Sequence, residues 1–484
     1  MKNYLRYSVY ILATVLLNAC SRDFDEINTN PNAPVEVQPE FLLRKVIFDY
    51  GEQMSYEGFT AGSFLGQYFT GTDFNLFDRG DLYSPQLGGN PWPILYKNLR
   101  DNEIMLGMAL SNPVHEVYKG PALILKAYMT ATLTDLYGDV PYSSALQGKE
   151  GITSPKYDAQ EDIYLGELGI LANLDSGIEA VESYNGVQQL EGDFLLNGNL
   201  QYWVRFANSL KIKYLLRVSD RVDVSASLQE IANEGNYIQD NSQNASFDFT
   251  DERPNNFRMA NLREGDFTSF VMSETMEDIL KSLDDSRIET FFRQADSLYA
   301  DSRYQGLLNG QDVSTNPISV KDYSLPGVIF REQTSLLNAN FMTAWETNFL
   351  LAEAAEKGLI TQPVKAYYDL GVAQAFEYWE TELPTDYLNS GKAAFGINGA
   401  NPLEQIITQK WIANLNNGYE GWVEFRRTGF PALRSVAASL NNDLLPVRLP
   451  YPSNEEALNK ANYETASGAT DANSINFRVW WDVN

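Results

Sequence analysis

Apolar residues recur at helical spacing along most of this chain, and the helical segments come in pairs. Between Trp203 and Tyr214, for example, Trp203, Phe206, Leu210 and Tyr214 share one face while Asn208 and Lys211 fall elsewhere. Segments 91–110 and 116–137 form one pair, 160–184 and 199–218 a second, 342–357 and 363–380 a third, and 402–416 with 418–427 a shorter fourth. Turn signals lie between or beside the members, among them Asn112-Pro113, Asn197-Gly198-Asn199 and Gln362-Pro363. Amphipathic pairs without a strict sequence period predict an all-α scaffold of four tetratricopeptide-like helical hairpins, with a generic helical bundle as the alternative.

Two stretches interrupt this pattern. Segment 236–340 is rich in Gly, Asn, Asp and aromatics, as in Asn255-Asn256-Phe257 and Tyr323-Ser324-Leu325-Pro326-Gly327; segment 70–90 sets Phe74, Phe77, Arg79 and Tyr83 among glycines. Long loops of this kind in a compact protein are usually functional. No linker is rich enough to split the chain, so residues 41–484 read as one helical domain.

At the N-terminus, Lys2 and Arg6 precede an apolar run from Tyr7 to Leu17 and then Leu17-Asn18-Ala19-Cys20. The order is that of a signal peptide, and the run is shorter than the roughly 20 residues a membrane span needs. A small residue before a cysteine, with Leu three positions earlier, is a lipobox. Residues 1–19 are therefore expected to be removed, Cys20 to carry lipid, and the polar, Pro- and Asn-rich stretch 20–40 to act as a tether. Cys20 is the chain's only cysteine, so the fold must hold together by burial without disulfides.

The chain has 36 basic and 64 acidic residues, a net charge of −28, which excludes the basic face that nucleic acid requires. His115 is the only histidine, so neither histidine acid–base chemistry nor a Cys/His metal cluster is available. Gly62-Ser63-Phe64-Leu65-Gly66 lacks the spacing of a serine-hydrolase elbow, and no phosphate-binding loop or dinucleotide fingerprint occurs. Asp284-Asp285 is the most tempting carboxylate pair, but neighbours on a helix point apart and Arg287 suggests an ion pair that stabilises a turn. The expectation is a binding protein with no catalytic residues, metal or cofactor.

Several stretches together resemble the SusD/RagB family of outer-membrane nutrient-binding lipoproteins, and more closely its SusD-like subgroup. They include Phe24-Asp25-Glu26-Ile27-Asn28-Thr29-Asn30-Pro31-Asn32, Trp92-Pro93-Ile94-Leu95-Tyr96, Thr134-Asp135-Leu136-Tyr137-Gly138-Asp139-Val140-Pro141-Tyr142 and Gln409-Lys410-Trp411. Glu420-Gly421-Trp422-Val423-Glu424-Phe425-Arg426-Arg427, Arg448-Leu449-Pro450-Tyr451-Pro452 and Trp480-Trp481-Asp482 follow in order. The resemblance implies a surface-exposed, lipid-anchored outer-membrane protein that hands an oligosaccharide or oligopeptide to a SusC-like TonB-dependent barrel, without catalysis. A tetratricopeptide assembly scaffold and an α-helical glycosidase are the competing readings.

Aromatics make up 13% of the chain, more than the helical cores need. Trp203, Trp345, Trp379, Trp411 and Trp422 fall within helical periods and are assigned to packing. Loop aromatics beside polar side chains suit a sugar ring or an extended peptide. The expected ligand contacts are Phe74, Phe77, Arg79, Tyr83, Asn90, Trp92, Tyr323 and Phe330.

Overall fold

The computed structural model describes residues 37–296 and 303–484. Cys20, the signal peptide and most of the expected tether lie outside the described residues.

The first described helix, α1 (Pro39–Glu57), buries Leu42, Leu43, Val46, Ile47 and Tyr50 along one stripe. It runs into a π-helical turn, Gly58–Gly62, and a last helical turn at Ser63–Leu65. The four sequence pairs follow as helices: α2 (Trp92–Ser111) with α3 (Lys119–Tyr137), then α4 (Ile170–Glu182) with α5 (Leu200–Val218). After α6 (Ser225–Glu234) and α7 (Glu274–Leu283) come α8 (Ala344–Glu356) with α9 (Val364–Tyr378), and α10 (Pro402–Ala413) with α11 (Gly418–Thr428). Each helix of a pair packs on its partner, and α3 on α4 and α8 on α10 join neighbouring pairs, so the scaffold is a stack of helical hairpins.

The helix ends are set locally. Asn199 caps α5 by accepting from the amides of Gln201 and Tyr202, Asn401 caps α10 ahead of Pro402, and Thr343 caps α8. Gly138 and Gly429 close α3 and α11 at positive φ. The expected helix 160–184 is broken: a short helix Gln160–Leu165 stops at Gly166, and α4 starts after Gly169. Two glycines three residues apart cost a helix about 1 kcal/mol each, enough to favour a turn there.

Strands are few among the described residues and all pair antiparallel in twos. They are β1 (Phe69–Gly71) with β5 (Phe270–Met272), β2 (Val140–Pro141) with β3 (Tyr157–Asp158), and β4 (Ala245–Asp248) with β6 (Asn338–Met342). The first of these stitches segment 70–90 to the central insertion.

Trp203, Trp345, Trp379, Trp411 and Trp422 are all buried, at most 3% exposed. Between them runs a buried ionic network. Arg217 of α5 donates to Glu424 at 2.9 Å and Glu420 at 2.8 Å and lies 3.2 Å from Asp135. Lys213 lies 3.0 Å from Glu346 and 3.1 Å from Glu420, and Arg427 bridges Glu353 and Glu424 at 2.6 Å each. Arg427 pairs with Glu424 as its helical spacing predicts. Arg426 does not pair with the helix glutamates; it donates to the carbonyls of Val447 and Asp135 at 2.7 Å each and lies over Trp422 and Trp481. Trp481 is buried and donates to Asp135 at 2.8 Å, docking the C-terminal segment onto α3. Asp285 and Arg287 form a buried two-bond ion pair, and Asp284 ends α7 at positive φ, so this carboxylate pair is a structural turn.

Candidate ligand-binding face

The loop after β1 is built around one buried carboxylate. Asp78 accepts from Thr70 Oγ1 at 2.6 Å and from the Gly71 amide at 3.2 Å on its own side. From the central insertion it accepts Asn309 Nδ2 at 2.6 Å and the Gly310 amide at 2.8 Å. Asn75 adds a bond from its Nδ2 to the Gln311 carbonyl at 2.7 Å. Burial pushes the Asp78 carboxyl above the ordinary aspartate value, while the four donors pull the other way. The other end of the loop is held by Glu57, which accepts from the Gly89 amide at 2.7 Å and from the Tyr419 hydroxyl at 3.2 Å.

On this frame the expected contact residues divide. Phe77, Trp92 and Phe330 are buried, at 4%, 5% and 0% exposure, and offer no surface to a ligand. Phe77 lies beneath Gly89, whose positive φ and missing side chain make room; a Cβ there would fall 2.3 Å from the ring. Trp92 packs 4.9 Å from Tyr96 and from Tyr137, ring centre to ring centre. Phe330 packs 4.9 Å from Phe59 and edge-on to Phe69. These three correct the sequence expectation: Phe77 and Phe330 become core where their loops fold back on the scaffold, and Trp92 opens α2 and faces its core.

Tyr83 and Asn90 are exposed, and Phe74, Arg79 and Tyr323 are half-buried. Phe74 holds φ +50°, a left-handed backbone that a bulky side chain rarely adopts. Strain of this sort clusters at ligand clamps, costing about 1–3 kcal/mol. Arg79 is fixed by a 2.9 Å bond from Nε to the Ala438 carbonyl and a 3.5 Å contact with Asp312. Tyr83 donates to the Asn473 carbonyl at 3.0 Å, so it faces the C-terminal loops. Tyr323 is joined to the same frame through Ser324, whose carbonyl accepts from Met272 of β5 at 2.8 Å.

The sequence reading missed the C-terminal side of this face. Leu440 donates its amide to the Arg79 carbonyl, and Asn441 and Asn476 exchange side-chain bonds at 2.8 Å. Leu440, Leu444 and Phe477 are all exposed on these loops. Nothing local marks them, because a single apolar residue in a polar loop is ordinary. Arg79 and Tyr83 are tied to these C-terminal loops, so that side brings together an exposed ring, a guanidinium and amides; Asn90 and Tyr323 are not in contact with them. Such a surface can stack on flat apolar faces and bond the polar groups around them. Among the described residues there is no group of three His, Cys, Asp or Glu side chains that could hold a metal, and no helix long and apolar enough to cross a membrane.

A family model described as "Starch-binding associating with outer membrane", of SusD-like type, matches residues 31–452. The chain belongs to this SusD-like family. Solved structures share its fold. A SusD homologue from Bacteroides fragilis is 21% identical with a TM-score of 0.78, over 92% of this chain and 100% of that one. A homologue from Bacteroides uniformis is 24% identical with a TM-score of 0.73 over 92% and 100%. A chitin-binding SusD homologue from Flavobacterium johnsoniae is 22% identical with a TM-score of 0.75 over 92% and 98%. No curated protein matches the sequence significantly.

Proposed function

We propose that the protein is a lipid-anchored, surface-exposed outer-membrane lipoprotein that captures a nutrient oligomer, a glycan, and delivers it to a SusC-like TonB-dependent barrel. Membership of the SusD-like family over residues 31–452 carries this reading. The solvent-reaching aromatic and polar side chains of Phe74, Arg79, Tyr83, Asn90 and Tyr323 on these loops support it, as does the description of a solved relative as chitin-binding. Cys20 is the anchor in this reading, residues 20–40 the tether, and 41–484 the binding domain. Tethering binder and barrel to one membrane raises their effective concentration, so modest affinity between them suffices.

The test is calorimetric titration of the tether-free protein with chitin oligosaccharides, other soluble glycans and oligopeptides. Saturable glycan binding with no product formed supports the proposal. Peptide binding alone would replace the ligand class, hydrolysis would make the protein an enzyme, and no binding at all would favour an assembly scaffold. In cells, Cys20→Ala should leave the membrane fraction when the barrel is absent, and the intact pair should co-purify in mild detergent.

A further inference from the structure

The first two helices build a charged ridge. Lys45 of α1 donates to Asp101 of α2 at 2.7 Å, while Lys97, one turn earlier on α2, donates to Asp49, one turn later on α1, at 3.0 Å. The two helices therefore run antiparallel. Lys45 also donates to Asp49 at 2.7 Å, and Arg100 donates from Nη2 to Asp101 at 2.8 Å. Three cations thus share two carboxylates. The carboxylates are the more buried, with 22% and 8% of the side chain exposed against between 41% and 58% for the cations. Lys97 gives Asp49 only one of its three donors. Of the neighbouring charges, Glu103 is taken by Lys126 at 2.6 Å, and Arg44 is exposed one turn after Glu40. The outer surface of this ridge is cationic in a chain whose net charge is −28.

The antiparallel register also brings the start of α1 beside the end of α2. At that end Val37, Phe41, Ile104, Leu110 and Val114 are all exposed. Phe41 lies one turn before Lys45 and Ile104 one turn after Asp101, so apolar side chains continue the ridge. A single exposed apolar residue is ordinary. A group of them beside Lys and Arg is the composition that settles into a lipid interface, apolar groups among the acyl chains and cations on the headgroups. The course of the chain selects that occupant. Cys20 precedes Val37, the first described residue, by seventeen positions, which span at most about 60 Å fully extended. This end of the domain is the part that a lipid on Cys20 holds to the bilayer. The overall negative charge does not forbid the contact, because physiological salt screens exposed charges over about 8 Å and only the side chains at the ridge count.

We propose that the α1–α2 end rests on the anionic, phosphate-bearing lipid surface of the membrane that holds the anchor. Phe41 and Ile104 enter the interface, and Lys45, Lys97 and Arg100 meet headgroup phosphates. The proposal rests on Cys20 being the lipidated anchor. Tethering makes even a weak contact persist, so the contact gives the domain one orientation on the membrane.

Cys20 is the only cysteine, so acylation leaves a single introduced thiol free for labelling. Acylated protein carrying a nitroxide on Ile104→Cys is placed on vesicles of phosphatidylethanolamine and phosphatidylglycerol. Dissolved oxygen, which concentrates in lipid, should relax this label more than a water-soluble nickel chelate does. A label on Leu440→Cys, exposed on the C-terminal loops, should show the reverse. Each basic side chain at an anionic surface is worth about fivefold, so Lys97→Gln with Arg100→Gln should cut the lipid-seated population about 25-fold. Phosphatidylcholine vesicles should likewise return the Ile104 label to water. Lys392→Gln with Lys460→Gln removes the same charge beside Asp284 and Glu464 and should change nothing. Protein that does not stay with the vesicles refutes the anchor and the proposal with it. Protein held by the vesicles with a water-exposed Ile104 label overturns the ridge contact alone. So would a label equally seated on phosphatidylcholine or unmoved by the Lys97 and Arg100 substitutions. Protection of Lys97 from amine acylation in a detergent-solubilised complex would give the ridge to the barrel, and a dimer in solution that Phe41→Ser dissolves would give it to a second copy; either overturns the proposal.

Discussion

The Asp78 carboxylate accepts a 2.6 Å hydrogen bond from the Asn309 amide, across 231 residues of sequence. This bond, with its three companions, joins the loop after β1 to the central insertion and sets where Phe74, Arg79 and Tyr83 stand.

Asp78→Ala removes the acceptor for four donors at once. Stability should fall by about 1–3 kcal/mol, since the loss of a charged hydrogen-bonding partner leaves buried donors unpaired. Amide exchange should speed up in segments 70–83 and 303–312 together, and protection confined to one of them would show that the carboxylate does not couple the two.

The buried guanidinium of Arg217 meets Asp135, Glu420 and Glu424. Arg217→Met leaves three carboxylates without their common partner, and removing one side of a buried ion pair typically costs about 3–5 kcal/mol. Denaturant unfolding of parent and variant measures the difference; a cost below about 1 kcal/mol, the value of an exposed pair, would show that the network contributes little.

Acid stability separates the network from the loop. Burial acts to raise the Glu424 carboxyl, but Arg427, Lys410 and Arg217 outweigh it and hold it well below the usual 4.5. A depressed carboxylate contributes stability above its unfolded value and loses it as the pH falls through its folded value. The gap in unfolding free energy between the parent and Glu424→Gln should therefore be widest near neutrality and narrow below about pH 4.5. Asp78, raised by burial, contributes with the opposite sign, so the comparison must be made against the Glu424 variant and not from the parent's acid limb alone.

For ligand binding, Tyr83→Ala with Tyr323→Ala should weaken the glycan by tenfold or more, taking about 0.5–1.5 kcal/mol per stacking contact. Parent-like affinity in a folded double variant would place the ligand elsewhere, with the loops bearing Leu440 and Phe477 as the next face to probe.

Phe74→Gly offers a test with two readouts. Glycine accepts φ +50° without strain, so the variant should be at least as stable as the parent although glycine is freer when unfolded. If the strained ring serves the ligand, affinity should drop at the same time. Lower stability with unchanged affinity would assign the ring to packing.

The helical hairpins were legible because a buried stripe must repeat every three to four residues, whatever the rest of the chain does. A reading by pairs has no place for α1, which packs on α2 across the long loop of 66–91 while α2 is already paired with α3. The candidate face was legible as two loop segments and not as residues. Whether Phe77 or Tyr83 is exposed depends on how Gly89 folds over the Phe77 ring within the same loop and on Asn473 near the C-terminus, neither of which a local pattern shows. Asp78 was invisible for the same reason: its decisive partners lie beyond residue 300. The ion pairs were half legible, since Arg427 and Glu424 share a helix while Arg217 and Glu353 come from others.

The antiparallel pairing of β1 with β5 also has a bearing on time. Closing a long chain segment must precede any reward from the contact it makes, so such pairings form slowly compared with neighbouring hairpins. The helical pairs can assemble as each is made, whereas the face waits for Phe270–Met272 and then for Asn309 to arrive. A partly folded molecule would have a sound helical body and no competence to hold cargo, so binding activity should emerge as the last phase of refolding, well behind the recovery of helix.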